Sequence, residues 1–312
     1  MEKYLYKIKV DNLYGYINRE GDMAITPMYK NAMEFSDGLA KVTTVNDESY
    51  FIDENNNIVI KTDVDWCLKF ENGYAHIAKN GKNGFIDKNG QIVIEAQFDR
   101  VWRGFNKEGF AIVKYDNKFG TIDKNGDFLI KPVFSSMNEL SEGVISAENQ
   151  YGRRGCIDIK GNTVIDFKFD KLGKFSEGLA SFKKGEKRGF INKSGEVIIE
   201  SKSSYMLDFH DGLAAFLLRD TDKMGYMNKK GEVVIENKYQ NATDFSEGLA
   251  VFINNDLEGY INTQGDEVIK NVFSTADDFK NGLGLVTTLD SEWGYVNKQG
   301  EWVYKPRNFN LW

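Results

Sequence analysis

The stretch Gly84-Phe85-Ile86-Asp87-Lys88-Asn89-Gly90-Gln91-Ile92-Val93-Ile94 returns in altered form along the whole chain of 312 residues. Its leading glycine recurs at intervals of 34 to 36 residues, and a tyrosine takes its place once. The nine anchor positions are Gly15, Tyr50, Gly84, Gly120, Gly155, Gly189, Gly225, Gly259 and Gly294. A fixed period of this length indicates a repeat architecture, so we predict one continuous array over residues 1–312 rather than two independent domains.

A second anchor alternates with the first. Phe35-Ser36-Asp37-Gly38-Leu39-Ala40 is one copy, and Phe175 to Ala180 is another. The eight glycines of this anchor are Gly38, Gly73, Gly109, Gly143, Gly178, Gly212, Gly248 and Gly282. Its sixth residue is alanine or glycine in seven copies and Ile145 in the other, which predicts a close approach of neighbouring repeats at that position.

Each repeat reads as a small antiparallel blade of three strands, with an extended connection that could add a fourth. Leu249 to Ile253 is typical of strand A and Gly259 to Asn262 of strand B, and Asn262-Thr263-Gln264-Gly265 has the Asx and Gly of a hairpin turn. Strand C, as in Val233-Val234-Ile235, has consecutive apolar residues, so we expect both of its faces to be covered. The fold class is therefore all-β, arranged either as an open superhelix or toroid or as a propeller-like ring.

Composition limits the function classes. The net charge of −7 argues against nonspecific nucleic-acid binding, which needs an excess of Lys and Arg. Cys67 and Cys156 are too few for a disulfide framework, and no window approaches the apolar length of a membrane span or a signal peptide. We expect a cytoplasmic protein without membrane contact.

The two anchors together resemble the bacterial WG-repeat family. The resemblance rests on Gly-Tyr/Phe-Ile-Asp/Asn-Lys-x-Gly, the apolar triplet and Phe-Ser-x-Gly-Leu-Ala, although the naming dipeptide survives only at Trp293-Gly294. It implies an all-β repeat protein without a known catalytic motif, and it does not imply a ligand. The second repeat departs furthest, with Tyr50 and Asn56 at glycine positions, so we expect a distorted turn there.

The candidate chemical motifs have structural explanations. Asp123-Lys124-Asn125-Gly126-Asp127 superficially suggests a calcium loop, but its glycine is fourth rather than sixth, and five of the nine turns begin with Asn. The acidic residues before the second-anchor glycines, such as Glu177, could form a negative rim, but they fit solvated turn residues better. We predict no catalytic residue, no metal site and no cofactor.

Candidate binding residues lie in the variable loops between strands A and B. Counted from the first copy of the second anchor, the fourth, fifth and sixth of these loops carry a basic set that would share one face if the repeats stack in order. This set is Arg153, Arg154, Lys183, Lys184, Lys187, Arg188 and Arg219. Trp66 and Trp102 lie in consecutive connections and could either form an exposed platform or cap local cores.

These observations favour a noncatalytic protein-interaction scaffold that binds another protein through variable loops or a concave face. The alternative is a module that binds carbohydrate or a cell-wall polymer, which would need exposed aromatics repeated once per unit. A hydrolase or lyase with carboxylates in a central cavity is the third hypothesis. The sequence identifies neither the partner nor the oligomeric state.

Overall fold

The computed structural model describes residues 4–61, 64, 66–218 and 220–305, and the chain divides into two compact units, residues 1–137 and 138–312. All regular elements of the described residues are β-strands, which form nine antiparallel sheets, one for each repeat. The predicted all-β class and the nine small blades are confirmed. We number the sheets 1 to 9 in chain order.

Unit 1 contains sheets 1 to 4. Sheet 1 comprises β1 (Tyr6–Val10), β2 (Leu13–Ile17) and β3 (Met23–Tyr29). Sheet 2 comprises β4 (Asn31–Ala32), β5 (Leu39–Thr43), β6 (Ser49–Asp53) and β7 (Ile58–Lys61). Sheet 3 comprises β8 (Trp66–Glu71), β9 (Tyr74–Lys79), β10 (Lys82–Asp87) and β11 (Ile92–Phe98). Sheet 4 comprises β12 (Arg100–Val101), β13 (Ala111–Tyr115), β14 (Lys118–Ile122) and β15 (Phe128–Phe134).

Unit 2 contains sheets 5 to 9, and the unit boundary falls within the first strand of sheet 5. Sheet 5 comprises β16 (Ser136–Ser141), β17 (Val144–Glu148), β18 (Arg154–Ile157) and β19 (Thr163–Phe169). Sheet 6 comprises β20 (Lys171–Leu172), β21 (Ala180–Lys184), β22 (Lys187–Ile191) and β23 (Val197–Glu200). Sheet 7 comprises β24 (Tyr205–Met206), β25 (Leu213–Leu218), β26 (Lys223–Asn228) and β27 (Val233–Tyr239). Sheet 8 comprises β28 (Asn241–Ala242), β29 (Leu249–Asn254), β30 (Leu257–Asn262) and β31 (Glu267–Phe273). Sheet 9 comprises β32 (Thr275–Ala276), β33 (Leu283–Thr287), β34 (Trp293–Asn297) and β35 (Trp302–Tyr304).

Every sheet is a meander in which strands pair with their neighbours in the sequence. Strands A, B and C of the sequence analysis are the last three strands of each sheet. The connection before strand A forms a fourth strand in sheets 2 to 9, so the extended connection does count as a strand.

The turn between strands B and C is the predicted Asx-Gly hairpin. In sheet 3 the Gly90 N–H donates to the Asp87 carbonyl at 3.0 Å, and Gly90 has a φ of 78°. The Asp87 carboxylate accepts the N–H groups of Asn89 and Gln91, both at 2.9 Å. The aspartate therefore serves the turn, as Asx residues do.

The turn of the second repeat corrects one expectation. Asn56, which replaces the turn glycine, adopts a φ of 68°, and its N–H donates to the Asp53 carbonyl at 3.0 Å. The turn is thus intact and the predicted distortion was wrong, because asparagine tolerates the left-handed conformation that the position requires.

The first-anchor glycine is required by the approach of strand C. A Cβ atom on Gly84 would lie 2.4 Å from the Ile94 carbonyl oxygen, and the β10–β11 register shifts on either side of Phe85. Sheet 2 carries Tyr50 at the same position, where Tyr50 and Phe51 pair with Lys61 and Ile60 of the short strand β7.

Strand C is buried on one face only, whereas the sequence predicts that both of its faces are covered. Ile92 and Val93 of β11 are 36% and 39% exposed, whereas Ile94 is 3% exposed. The same pattern of two outward residues and one buried residue recurs in most of these strands. The prediction of two covered faces was wrong, because strand C is the outermost strand of its sheet and the shifted register turns only its third apolar residue inward.

Adjacent sheets pack through aromatic pairs. The Tyr260 ring of sheet 8 lies 4.8 Å from that of Phe279, and its hydroxyl donates to the Asp277 carbonyl at 2.8 Å. A Cβ atom on Gly284 would lie 2.7 Å from the Tyr260 hydroxyl, which confirms the predicted close approach at the small position. Equivalent pairs within the units are Tyr16–Phe35, Phe51–Phe70, Phe85–Phe105, Phe190–Phe209 and Tyr226–Phe245.

The acidic residues of the second anchor also join adjacent sheets. The Glu177 carboxylate accepts the Gly212 N–H at 3.1 Å and pairs with Lys229 at 2.8 Å. The same carboxylate-to-glycine bond joins Asp37 to Gly73, Glu142 to Gly178, Asp211 to Gly248 and Glu247 to Gly282. Glu177 itself has a φ of 52°, so its turn role holds, and the bond to the next repeat is a feature that the sequence analysis missed.

Both cysteines are buried. Cys67 and Cys156 are free thiols, and burial raises the pKa of each to about 12.

Among the residues that the structure describes, no helix is long and apolar enough to span a bilayer.

The two anchors build the same core between sheets, because Phe35 and Ala40 of the second anchor lie in one core cluster with Tyr16 of the first.

We predict that Gly259→Ala destabilises the protein by about 3 kcal/mol, because the added methyl group would lie 2.6 Å from the Ile269 carbonyl oxygen. Chemical denaturation measures the loss. Val272→Ala, at a half-exposed position of the facing strand, is the control and should cost less than about 1 kcal/mol. Equal losses for the two variants would refute the steric explanation.

We predict that Glu177→Ala lowers stability by about 1 kcal/mol at neutral pH, after allowance for solvent screening. Burial alone raises the pKa of Glu177, but the bonds from Lys229 and Gly212 outweigh it and hold the pKa below its usual value. The stabilisation is therefore present above the usual glutamate pKa and is lost as the pH falls through the folded-state pKa.

Thermal or chemical unfolding of wild type and Glu177→Ala should therefore differ at neutral pH and converge in acid. Glu186→Ala, in an exposed loop of sheet 6, is the matched control. A stability difference between wild type and Glu177→Ala that persists unchanged in acid would show that the carboxylate charge is not responsible.

Candidate functional site

A cleft of about 580 Å³ lies among sheets 5, 6 and 7 of unit 2. We call it the basic cleft, and its lining residues are Glu148, Arg154, Asp170, Lys171, Leu172, Gly173, Ser181, Phe182, Lys183, Arg188, Ser204, Tyr205 and Met206. Four of these residues are cationic and two are acidic, a local charge of +2 in a chain of net charge −7. The cleft volume is within the usual range of ligand sites.

The structure brings together part of the predicted basic set. Arg154, Lys183 and Arg188 line the basic cleft, whereas Lys184 follows Lys183 on the strand and is not a lining residue. Arg219 lies outside the described residues. Lys171 was missed, because it belongs to the two-residue connection strand β20 rather than to a variable loop.

Two other predicted residues serve ion pairs at the edge of the cleft. Arg153 donates to the Asp170 carboxylate, whose other oxygen accepts the Gly185 N–H at 2.6 Å. Lys187 lies 3.5 Å from the Glu200 carboxylate. The side chains of Arg153 and Lys187 therefore each have a carboxylate partner within the protein.

Three cations form a row across sheet 6. Lys171 of β20 pairs in register with Lys183 of β21, and Lys183 pairs with Arg188 of β22. Side chains of directly opposed residues lie on the same face of a sheet. The Arg188 guanidinium donates to the Ser204 carbonyl at 3.0 Å, which places this end of the row beside the start of sheet 7.

The cleft opens where the repeat loses an aromatic residue. The fourth residue after the buried isoleucine of strand C is aromatic in six repeats, namely Tyr29, Phe98, Phe134, Phe169, Tyr239 and Phe273. In sheet 6 this residue is Ser203, which is buried and accepts a hydrogen bond from the Ser201 hydroxyl at 2.7 Å. Strand β23 ends at Glu200, so the following connection departs from the regular path.

Alignment of the nine repeats at this position was the sequence signal that could have located the cleft. A serine in place of an aromatic predicts missing side-chain volume in this connection.

The two tryptophans lie in unit 1, each half-exposed and packed on its own sheet. Trp66 contacts the ring of His76 at 5.3 Å. Trp102 contacts Phe119 at 6.4 Å and Arg100 at 5.0 Å from its ring. Burial lowers the pKa of His76 despite its hydrogen bond to Asn83. Each tryptophan therefore covers side chains of its own sheet with one side of its ring, and its other side is exposed.

A cluster of carboxylates in unit 2 has perturbed protonation. Burial raises the pKa of Asp244 to about 6, with His210 opposing the shift and Asp208 adding to it. Burial also raises the pKa of Asp208. Lys174 lies 3.8 Å from Asp208 and His210 lies 3.7 Å from Asp244, so each of these two carboxylates has a basic neighbour within the cluster.

Within residues 4–61, 64, 66–218 and 220–305, no group of three or more His, Cys, Asp or Glu residues is placed to hold a metal ion. The oxygens of turn aspartates such as Asp123 accept backbone N–H groups instead.

The part of the chain that the structure describes is thus an all-β repeat array of nine antiparallel sheets, and a basic cleft lies among sheets 5, 6 and 7. The family described as WG containing repeat matches it in nine segments, residues 14–47, 51–82, 84–119, 119–150, 155–187, 189–221, 224–257, 259–288 and 293–309. The chain belongs to the WG-containing repeat family. A search of curated proteins finds no significant match.

Similar solved structures are found at low sequence identity. A structure described as the eukaryotic initiation factor has a TM-score of 0.69 and 11% identity, and the match covers 96% of this chain and 94% of that chain. BamB from Moraxella catarrhalis has a TM-score of 0.45 and 12% identity, with 93% and 95% covered. The WD40 beta propeller domain of Doa1 has a TM-score of 0.37 and 12% identity, with 73% and 94% covered.

We predict that Asp244→Asn stabilises the protein at pH 7 by about 1 kcal/mol, a value discounted for the partial exposure of the side chain. Because the folded-state pKa is raised to about 6, the folded protein binds more protons than the unfolded chain between about pH 4 and 6. Wild-type stability should therefore fall as the pH rises through this range.

Denaturation from pH 4 to pH 7 tests this prediction. The advantage of Asp244→Asn should grow with pH and disappear near pH 4. Asp220→Asn, in an exposed loop of the same unit, is the control. A constant difference across the range would contradict the proposed protonation of Asp244.

Proposed function

We propose that this protein is a noncatalytic protein-interaction scaffold and that the basic cleft of unit 2 is a surface through which it binds another protein. The observation that supports this most directly is the in-register row of Lys171, Lys183 and Arg188 on a cleft wall. Charged surfaces of this kind steer the encounter with a complementary partner and give specificity.

The repeated parts of the chain have structural duties that Lys171 and Lys183 of the cleft lack. The second-anchor carboxylates and the turn lysines bond between sheets, as in the contact of Glu177 with Gly212 and Lys229. The side chains of Lys171 and Lys183, by contrast, make no ion pair within the described part of the chain. Residues free of packing duties are available for recognition.

The distribution of exposed aromatic residues gives less support to a carbohydrate-binding module than to a protein-binding scaffold. At the first position of the connection strand, Trp66 and Tyr205 are exposed aromatic residues in sheets 3 and 7. The equivalent residues in other sheets are Asn31, Arg100, Ser136, Lys171, Asn241 and Thr275. The aromatic surface therefore does not repeat once per unit.

The carboxylate cluster of Asp208 and Asp244 gives less support to an enzymatic role than to a structural one. A raised pKa is typical of catalytic acids but also of structural ionic networks. Lys174 and His210 lie beside Asp208 and Asp244, so the cluster fits a structural network.

Affinity capture tests the proposed function. We expect wild type and Lys184→Glu to retain the same partner from a native cell extract, and the double variant Lys171→Glu/Lys183→Glu to retain about tenfold less of it. The partner is identified by mass spectrometry, purified, and measured again by biolayer interferometry. Lys184 is the matched control because it adjoins Lys183 without lining the cleft. Equal binding of the purified partner by all three proteins would refute the role of the cleft.

A further inference from the structure

We propose that the basic cleft binds an acidic peptide segment of the partner protein, with carboxylates on the cation row and an apolar side chain against Tyr205 and Met206. This inference rests on the proposed scaffold function and specifies the chemistry of its partner.

The cation row is electrostatically incomplete in the protein alone. Lys171 and Lys183 face each other directly across β20 and β21, and Lys183 faces Arg188 across β21 and β22. Like charges directly opposite in a sheet are destabilising. A bound anion would remove this repulsion, so the row favours a negatively charged ligand.

The acidic residues of the cleft do not supply that charge to the row. Asp170 is engaged by Arg153 and by the Gly185 N–H. The Glu148 carboxylate lies 3.0 Å from the Arg154 guanidinium. Both carboxylates therefore have other partners, and the positive charge of Lys171 and Lys183 is left for a ligand.

The geometry of the row selects a chain of charges rather than one compact anion. Neighbouring strands are about 4.8 Å apart, so three cations across three strands span roughly 10 Å. Side chains at alternate positions of an extended peptide lie about 7 Å apart on one side. Two acidic residues at such positions would extend along most of the row, whereas a single phosphate favours donors that converge on one point.

The other wall supplies an apolar contact. The Tyr205 side chain is 54% exposed, and Met206 beside it is partly buried. An exposed aromatic next to a cleft can bury an apolar side chain, and tyrosine and methionine are enriched where proteins bind one another. The partner segment should therefore carry an aromatic or aliphatic residue among its acids.

Fluorescence anisotropy with defined peptides tests the inference. The probe is a fluorescein-labelled peptide of glutamates with one central phenylalanine, and its matched analogue has glutamine at every glutamate. We expect the full-length protein to bind the probe at least about tenfold more tightly than the analogue, with affinity falling as salt is added. Lys171→Glu/Lys183→Glu should lose about tenfold in affinity and Lys184→Glu should bind as wild type does.

A charge exchange keeps the test independent of folding defects. The double variant should bind the corresponding lysine peptide more tightly than wild type and Lys184→Glu do, in a measurement on protein that still shows a cooperative melting transition. Tyr205→Ala should weaken probe binding without changing its salt dependence, because it removes only apolar contact. The melting temperature of every variant is measured beside its affinity.

Several outcomes would overturn the inference. These are equal affinity for the probe and its glutamine analogue, an equal loss in Lys184→Glu, or displacement of the probe by inorganic phosphate at a concentration that leaves the ionic strength unchanged. Preference for a single-stranded oligonucleotide over the probe would also overturn it, in favour of a nucleic-acid site.

The inference and the proposed function fail in different ways. A purified partner that depends on Lys171 and Lys183 while the probe does not bind would refute the acidic-peptide chemistry and leave the scaffold intact. Probe binding that depends on both lysines, with no partner sharing that dependence, would refute the scaffold and leave a peptide-binding cleft.

Discussion

The hydrogen bond between a carboxylate of one sheet and a backbone N–H of the next is the contact on which the array depends. A four-stranded sheet with short outer strands has little core of its own and must bury a face against a neighbour. Glu177 shows how this is done, since its left-handed backbone aims the carboxylate at Gly212 and Lys229 neutralises it.

Glycine has a separate task inside each sheet. At Gly84 the carbonyl of Ile94 comes so close that no side chain fits. The register shifts beside Phe85, and Ile94 is buried while Ile92 and Val93 are exposed. The outer strand is thus apolar in sequence yet half-exposed in the structure. Sheet 2 carries Tyr50 at the glycine position, opposite Lys61 of β7.

The basic cleft is a local failure of this regular plan. Ser203 stands where six other repeats have an aromatic residue, and the strand before it is cut short at Glu200. The cleft lies beside this irregular connection, where the Tyr205 side chain is exposed.

The sequence by itself determined the period, the number of sheets, the hairpin turns and the requirement for small residues near the aromatic pairs. These features depend on local conformation and on residue volume. Both can be predicted from the sequence of one repeat, and the same residue types recur in the other eight. It also located Arg154, Lys183 and Arg188 as binding candidates. Only the tertiary structure decided that the second-anchor acids bond between sheets, that strand C is half-exposed, and that Lys171 joins the cation row while Arg153 and Lys187 are held by acids. Those outcomes depend on which side chains come into contact across strands and between sheets. The pattern of charge and hydropathy along the chain does not determine the distances between such side chains.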